Sequence, residues 1–230
     1  MVEPVVKRGL LHPGREWSLT ALVVLEVLAL FVVAPLAAKR TVPFSAELPL
    51  AVAIVVVVIA VVWPSRLAVA AVILSAVLEL LATVLRITHS NGSTQALDFA
   101  AAMILLISVT IVLGVAVFGP GRVTIHRILG AVAIYLNTAA AFAFAYRVVE
   151  ALNPAAFTLL GPASNHHPIP TLIYFSFSTL TTSGYGDIVP IDSYARSLSN
   201  LEAVIGQLYP ATLLARLITL EVAGRQQGPQ

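Results

Sequence analysis

Residues 179–187 read Thr179-Leu180-Thr181-Thr182-Ser183-Gly184-Tyr185-Gly186-Asp187, two glycines flanking a tyrosine behind a run of threonines. Glycine enters backbone conformations that a Cβ disfavours. Alternating glycine with larger residues lets successive carbonyl oxygens turn towards one axis. A single strand of this kind encloses nothing. Four of them around a fourfold axis form a narrow tube of oxygens that replaces the water around a dehydrated monovalent cation. The competing reading is a Gly-rich turn between two helices, and the surrounding sequence decides between the two.

Those surroundings are apolar. Hydrophobic residues make up 59% of the chain and charged ones 10%, against about 25% charged in an ordinary soluble domain. Mean hydropathy is +0.95. One water-facing globule cannot hide so much apolar surface, so a lipid bilayer is the expected solvent. Crossing about 30 Å of hydrocarbon takes roughly 20 apolar residues in a helix. Six segments qualify, at 17–38, 44–63, 67–88, 98–118, 127–151 and 194–221, the second eroded at its start by Pro43, Glu47 and Pro49. None shows the alternation of an outer-membrane barrel strand. The predicted fold class is all-α transmembrane, with six membrane-spanning helices, a re-entrant pore helix and an extended filter strand.

Smaller signals agree. There is no cysteine, which excludes disulfides and thiolate metal sites. The net charge is only +2, and no basic stripe with interleaved aromatics points to nucleic acid. Lys7, Arg8 and Arg15 precede the first apolar stretch, but its 22 residues (17–38) exceed a secretory h-region. With the N-terminus inside, Lys7, Arg8, Arg15, Arg66, Arg122, Arg127, Arg216 and Arg225 fall on the cytoplasmic side. Lys39, Arg40, Arg86, Arg147 and Arg196 fall outside, eight against five. That bias has the expected sign and puts the 152–193 connection outside, with both termini in the cytoplasm and the protein in the plasma (inner) membrane.

Phe118-Gly119-Pro120-Gly121-Arg122 is the clearest boundary, since proline and paired glycines end a helix. It separates a four-helix membrane region (1–118) from a cytoplasmic linker (119–126), a pore domain (127–221) and a short tail (222–230). No internal repeat is visible and only one filter copy is present, so a pore must assemble from several chains. Voltage sensing would need several Arg or Lys at every third position of the fourth span. Residues 98–118 contain none, so that role is not expected. Glu26 and Glu79 are carboxylates inside predicted spans, where such groups are usually paired. They bond to neighbouring helices, stay protonated, or act as coupling groups. Glu79 and Arg86 share a helical face, seven residues apart, too far for direct contact.

Pro168 and Pro170 open a short run, Thr171 to Leu180, and proline suits a helix N-terminus. Ten residues cannot span a bilayer. A short helix entering from outside and handing over to an extended strand fits that length, and its C-terminal end favours a cation at the membrane centre. Across residues 127–221 the order of elements resembles the two-helix pore domain of bacterial potassium-channel-like ion channels. The phrases Tyr174-Phe175-Ser176-Phe177-Ser178-Thr179-Leu180-Thr181-Thr182, Gly184-Tyr185-Gly186-Asp187-Ile188-Val189-Pro190 and Leu201-Glu202-Ala203-Val204-Ile205-Gly206-Gln207-Leu208-Tyr209 carry that resemblance.

The resemblance implies a passive, K⁺-selective cation channel, assembled as a homotetramer and needing no cofactor beyond the permeant ion. It places K⁺ at the Thr182 hydroxyl and at the carbonyls of Thr182, Ser183, Gly184 and Tyr185, with Gly186 completing the strand and Asp187 at the outer mouth. Of the aromatic pair behind the filter, Tyr174 and Phe175, only Tyr174 has a polar handle to offer Tyr185. Ser183 stands where the family usually has an apolar residue, so its hydroxyl needs a partner. Ser178 stands where some relatives carry a carboxylate paired with the outer aspartate, so Asp187 needs another. Weak selectivity among monovalent cations is therefore a live alternative.

In the last span, Gly206 occupies the family's hinge position, and Pro210 removes one backbone hydrogen bond. Close helix packing is the other use for Gly206. Gln207, Pro210, Leu214 and Ile218 recur at helical spacing and would line a cavity below the filter. Glu202, one turn above Gly206, is expected either to brace the filter through Thr181 or Ser178, or to face the cavity. The pair His166-His167 could sense pH or bind zinc, but two histidines alone are more often ordinary loop residues. A secondary transporter using Glu26 and Glu79 is the reading from another class, though such folds often show repeated halves. No hydrolase, protease or nucleotide-binding motif suggests an enzyme. The tails are too short for a ligand-binding domain, so nucleotide or calcium control would need a separate regulatory chain.

Overall fold

The computed structural model describes residues 13–38, 44–62, 65–89, 91–119, 124–159 and 168–226, with side chains for 17–36, 52–61, 65–89, 91–119, 124–159 and 168–216. Pro43, His166 and His167 lie outside the described residues, as do the side chains of Glu47, Pro49 and Ile218. Helix α1 (Pro13–Leu28) runs through a π-helical turn (Ala29–Val33) into α2 (Ala34–Ala38). Then follow α3 (Phe44–Val62), α4 (Arg66–Thr88), α5 (Gly92–Phe118), α6 (Ile125–Leu152), β1 (Phe157–Leu159), α7 (Ile169–Leu180), β2 (Ile188–Pro190) and α8 (Ser193–Gln226).

Four segments are long and apolar enough to cross a membrane among the described residues: Trp17–Leu36, Arg66–Thr88, Gly92–Phe118 and Ile125–Leu152. The described apolar part of α3, Val52–Val61, is shorter. Side chains set several boundaries. The Ser65 hydroxyl accepts from Ala68 N at 3.3 Å and starts α4. Asn91 and Thr94 form a reciprocal capping box, which satisfies two otherwise unpaired N–H groups. That cap begins α5 at Gly92, six residues ahead of the predicted span at 98.

Helix α6 is the central post. Its alanines (Ala131, Ala133, Ala139, Ala140, Ala143) are buried, and small residues let neighbouring helices approach where lipid removes most hydrophobic drive. Leu19 and Leu22 of α1 and Val109 and Leu113 of α5 pack there beside Ala131 and Ile134. Polar contacts add direction. Asn137 Nδ2 donates to Thr110 Oγ1 at 2.6 Å and to Leu106 O at 2.8 Å, joining α6 to α5. Arg86 pairs with Asp98 at 2.8 Å, and the Thr83 hydroxyl donates to the same carboxylate at 2.7 Å. The Arg147 guanidinium lies 4.6 Å from the Phe99 ring centre.

A second core lies at the β1–α7 end. Tyr146, Phe157 and Phe175 meet edge to face, with ring centres 5.0–5.6 Å apart, beside buried Leu172 and Ile188. Phe31 of the π-helical turn reaches α7 at Phe177, 5.2 Å between rings. Strands β1 and β2 pair antiparallel, Phe157 with Pro190 and Leu159 with Ile188. This small ladder was not expected from an all-helical pattern. It forms because Phe157 and Ile188 are both anchored in the aromatic core while the chain between them is held at α7.

Candidate functional site

Helix α7 is short because both of its ends are fixed locally. Pro168 is the N-cap and Pro170 sits in the first turn. At the other end Thr181 N returns to Phe177 O at 3.0 Å and Thr182 N to Thr179 O at 2.9 Å. Leu172, Ile173, Phe175, Ser176 and Leu180 are buried and seat the helix against α6 and α8.

The strand that follows alternates in hand. Thr182, Gly184 and Gly186 have φ of 56°, 57° and 77°, in the left-handed region that β-branched residues avoid. Nothing lies within 4 Å of a Cβ placed on Gly184, so backbone hand rather than space calls for glycine there. Ser183 N and Gly184 N donate to Ser178 O at 2.8 and 3.1 Å, and Tyr185 N donates to Ser178 Oγ at 3.2 Å. A trans peptide holds its C=O opposite the N–H of the next residue. With three amides turned onto the end of α7, the carbonyls of Thr182, Ser183 and Gly184 face away from it. Residues 181–186 are exposed in the single chain.

Three polar side chains meet partners that the sequence left open. The Ser183 hydroxyl lies 2.9 Å from Thr181 Oγ1, which donates to Phe177 O at 2.7 Å. The Tyr174 ring stacks on that of Tyr185, 5.7 Å apart and 8° from parallel. Its hydroxyl is turned towards the Asp187 carboxylate, and Asp187 Oδ1 accepts from Ile188 N at 3.1 Å. Phe175, the other half of the predicted pair, turns into the aromatic core instead.

Helix α8 covers the other side of α7. A Cβ placed on Gly206 would fall 1.8 Å from Leu180 O, so close approach alone requires glycine at this position. The Tyr135 hydroxyl donates to the same carbonyl at 3.2 Å. Glu202 is fully buried and its partners differ from those expected. One oxygen accepts from the Tyr146 hydroxyl at 2.6 Å, and the other contacts Ser176 Oγ. Thr181 and Ser178 are not its partners, because their hydroxyls already serve the turn and the strand. Ser176 Oγ also donates to Ala139 O at 2.7 Å. Gln207 Nε2 donates to Thr182 Oγ1 at 2.8 Å. Pro210 lies inside the helix, and with Gln207 and Leu214 it is exposed in the single chain.

Other carboxylates stand apart from this site. Glu26 is buried in α1, and neither oxygen has a hydrogen-bond partner among the described residues. Glu79 in α4 has one such oxygen, and the partner of Arg86 is Asp98. No group of three or more His, Cys, Asp or Glu could hold a metal among the described residues. The tyrosines that tie α6 and α8 to the site (Tyr135, Tyr146, Tyr209) were missed in the sequence. A phenol inside an apolar helix is itself a signal, since a buried tyrosine hydroxyl usually finds a partner.

Residues 132–222 match the model of a family described as ion channel. The chain is 29% identical to Protein LctB of Bacillus caldotenax over 120 residues, 51% of this chain and 89% of that protein. It is 35% identical to the inward rectifier potassium channel Kirbac3.1 of Paramagnetospirillum magnetotacticum over 98 residues, 40% of this chain and 29% of that one. No solved structure matches it. Across residues 132–222 the chain is similar to bacterial potassium-channel-like proteins, and four helices among the described residues are long and apolar enough to cross a membrane.

Proposed function

We propose that the protein is a passive K⁺ channel whose pathway is a tetrameric filter built from residues 182–186. One observation carries this reading: three consecutive amides are spent on Ser178. Their carbonyls are thereby free to replace the hydration shell of a cation on a shared axis. The proposed ion-coordinating groups are the Thr182 hydroxyl and the carbonyls of Thr182, Ser183, Gly184 and Tyr185. Asp187 draws cations to the mouth, and Tyr174, Ser178, Thr181 and Glu202 support the filter. Gln207, Leu214 and Ile218 line the cavity, with a bend around Gly206 and Pro210 as the gate. Six spans (1–118 and 127–221), cytoplasmic termini and a plasma-membrane location complete the proposal. The stimulus that opens the pore would come through the leading helices or a separate regulatory chain.

The hydroxyl of Ser183, bonded to Thr181 Oγ1 where the resemblance implies apolar packing, favours a second reading, a weakly selective monovalent cation channel. A secondary transporter using Glu26 and Glu79 ranks lower, since the two carboxylates sit on different helices, α1 and α4. Unitary currents from purified protein in planar bilayers test all three. The expected result is K⁺ carrying several-fold more current than Na⁺ under bi-ionic conditions. Equal permeabilities would remove the selectivity and leave the pore. Coupled transport without unitary currents would remove the channel.

A further inference from the structure

Thr182 stands at the start of the proposed filter strand. It is β-branched, it holds φ at 56°, and its side chain is exposed at the α7 end of the strand. A hydroxyl in that setting turns freely, presenting either oxygen or hydrogen to its surroundings. Here it does not turn, because Gln207 Nε2 donates to its oxygen at 2.8 Å. A donor on one lone pair leaves the other for a second electropositive partner and directs the hydroxyl hydrogen elsewhere.

The amide is placed by the backbone as well as by its own rotamer. Gln207 follows Gly206, the residue whose missing side chain lets α8 rest on the Leu180 carbonyl. Leu180 is two residues from Thr182 on the same turn. Donor and acceptor therefore hang from two backbones in direct contact, with little slack between them.

The geometry points to Gln207 as a positioning residue for the innermost cation site. Its amide sets the orientation of the Thr182 hydroxyl, and so the affinity for a dehydrated cation at the cavity end of the strand. This deepens the channel reading and rests on it. The amide acts through Thr182 rather than by touching the ion.

The test uses reconstituted full-length protein and Ba²⁺, a divalent ion of nearly the size of K⁺, as a blocker. Gln207→Met keeps the length of the side chain and removes the donor. We expect it to weaken Ba²⁺ block from the α8-tail side about tenfold, the loss of one hydrogen bond to a site-forming group. Block from the opposite side should move less than twofold. In a Thr182→Val background, which lacks the hydroxyl, Gln207→Met should have no further effect, whereas in Thr182→Ser it should keep its effect. Unchanged block in Gln207→Met overturns the inference. So does an effect that persists in Thr182→Val, since the amide would then be meeting the ion directly. If Gln207→Met gives no channels, Gln207→Ala carries the same expectation, and two variants that assemble normally without conducting would show a structural role instead. Wild-type protein that passes no cation at all overturns the channel reading itself, a result distinct from each of these.

Discussion

At the scale of single residues, two glycines in this site are required for different physical reasons, and substitution separates them. Adding a methyl at Gly206 puts carbon 1.8 Å from Leu180 O, so α8 must lift off α7. Overpacking of this kind costs about 3 kcal/mol, and Gly206→Ala is expected to lower the thermal unfolding temperature in detergent and reduce assembly. A Gly206→Ala protein as stable as the parent would contradict the close contact. At Gly184 there is open space, and the cost is the left-handed backbone, about 1–2 kcal/mol. Gly184→Ala should cost less stability than Gly206→Ala and degrade K⁺ over Na⁺ discrimination, read in bi-ionic currents. The alternation of Gly184 and Gly186 was legible because their φ requirement is local. The need for glycine at 206 was only half legible, since hinge and packing ask for the same residue and the Leu180 carbonyl lies 26 positions away in sequence.

At the scale of elements, the buried Glu202 ties α8, α7 and α6 together. The Ser176 hydroxyl has one proton for two neighbouring acceptors, Ala139 O and a Glu202 oxygen. When Ala139 O takes it, the Glu202 atom beside it must be a donor, while the other accepts from Tyr146. A glutamine offers one of each. Glu202→Gln should therefore unfold within a few degrees of the parent. Glu202→Ala leaves the Tyr146 hydroxyl without its acceptor and a cavity beside Ser176, and should lose about 2–4 kcal/mol. Equal losses in the two variants would rule out this proton count. The start of α8 depends on Asp192, which accepts from Tyr194 N at 2.8 Å and from Asn153 Nδ2 at 3.0 Å. The Asn153 bond, followed by that from Tyr194 N, holds its carboxyl below the usual range. A lowered folded-state pKa stabilises fully above the unfolded value, near 3.9, and the contribution fades as pH falls below it. The Tm difference between parent and Asp192→Ala should be constant above about pH 5 and shrink towards pH 3. The re-entrant helix was readable from Pro168, Pro170 and a length too short to span. The Glu202 partners were not, because Tyr146 and Ser176 lie on other elements and sequence spacing does not relate them.

For the whole molecule, the leading helices are held to α6 by few polar contacts in an apolar setting. Lipid can cover exposed leucine and valine as readily as another helix does, so specificity falls to groups such as Asn137, bonded to Thr110 and Leu106 O. Asn137→Leu should weaken recovery of residues 119–230 with co-expressed residues 1–118 by about 1 kcal/mol, read by pull-down in mild detergent. Undiminished recovery would mean that shape alone holds the halves together. At the opposite end, Arg216 of α8 lies over the Phe118 ring at 5.3 Å and bonds to its carbonyl. Arg127 donates to Gly119 O at 3.0 Å. Membrane character and the break at 118–122 were plain from composition and proline. How the two halves meet was not, because apolar helices of Ala, Val, Leu and Ile carry no code for their neighbours.

The row of outward carbonyls is shaped within one subunit, by Ser178 at one end and the β1–β2 ladder at the other. Partners arriving to close the proposed ring would find it cast beforehand. Ordering a slack loop is then a minor obstacle to closure. The larger one is electrostatic, four sets of like-facing dipoles pressed together, and a cation threaded between them is the counterweight that lets the ring shut.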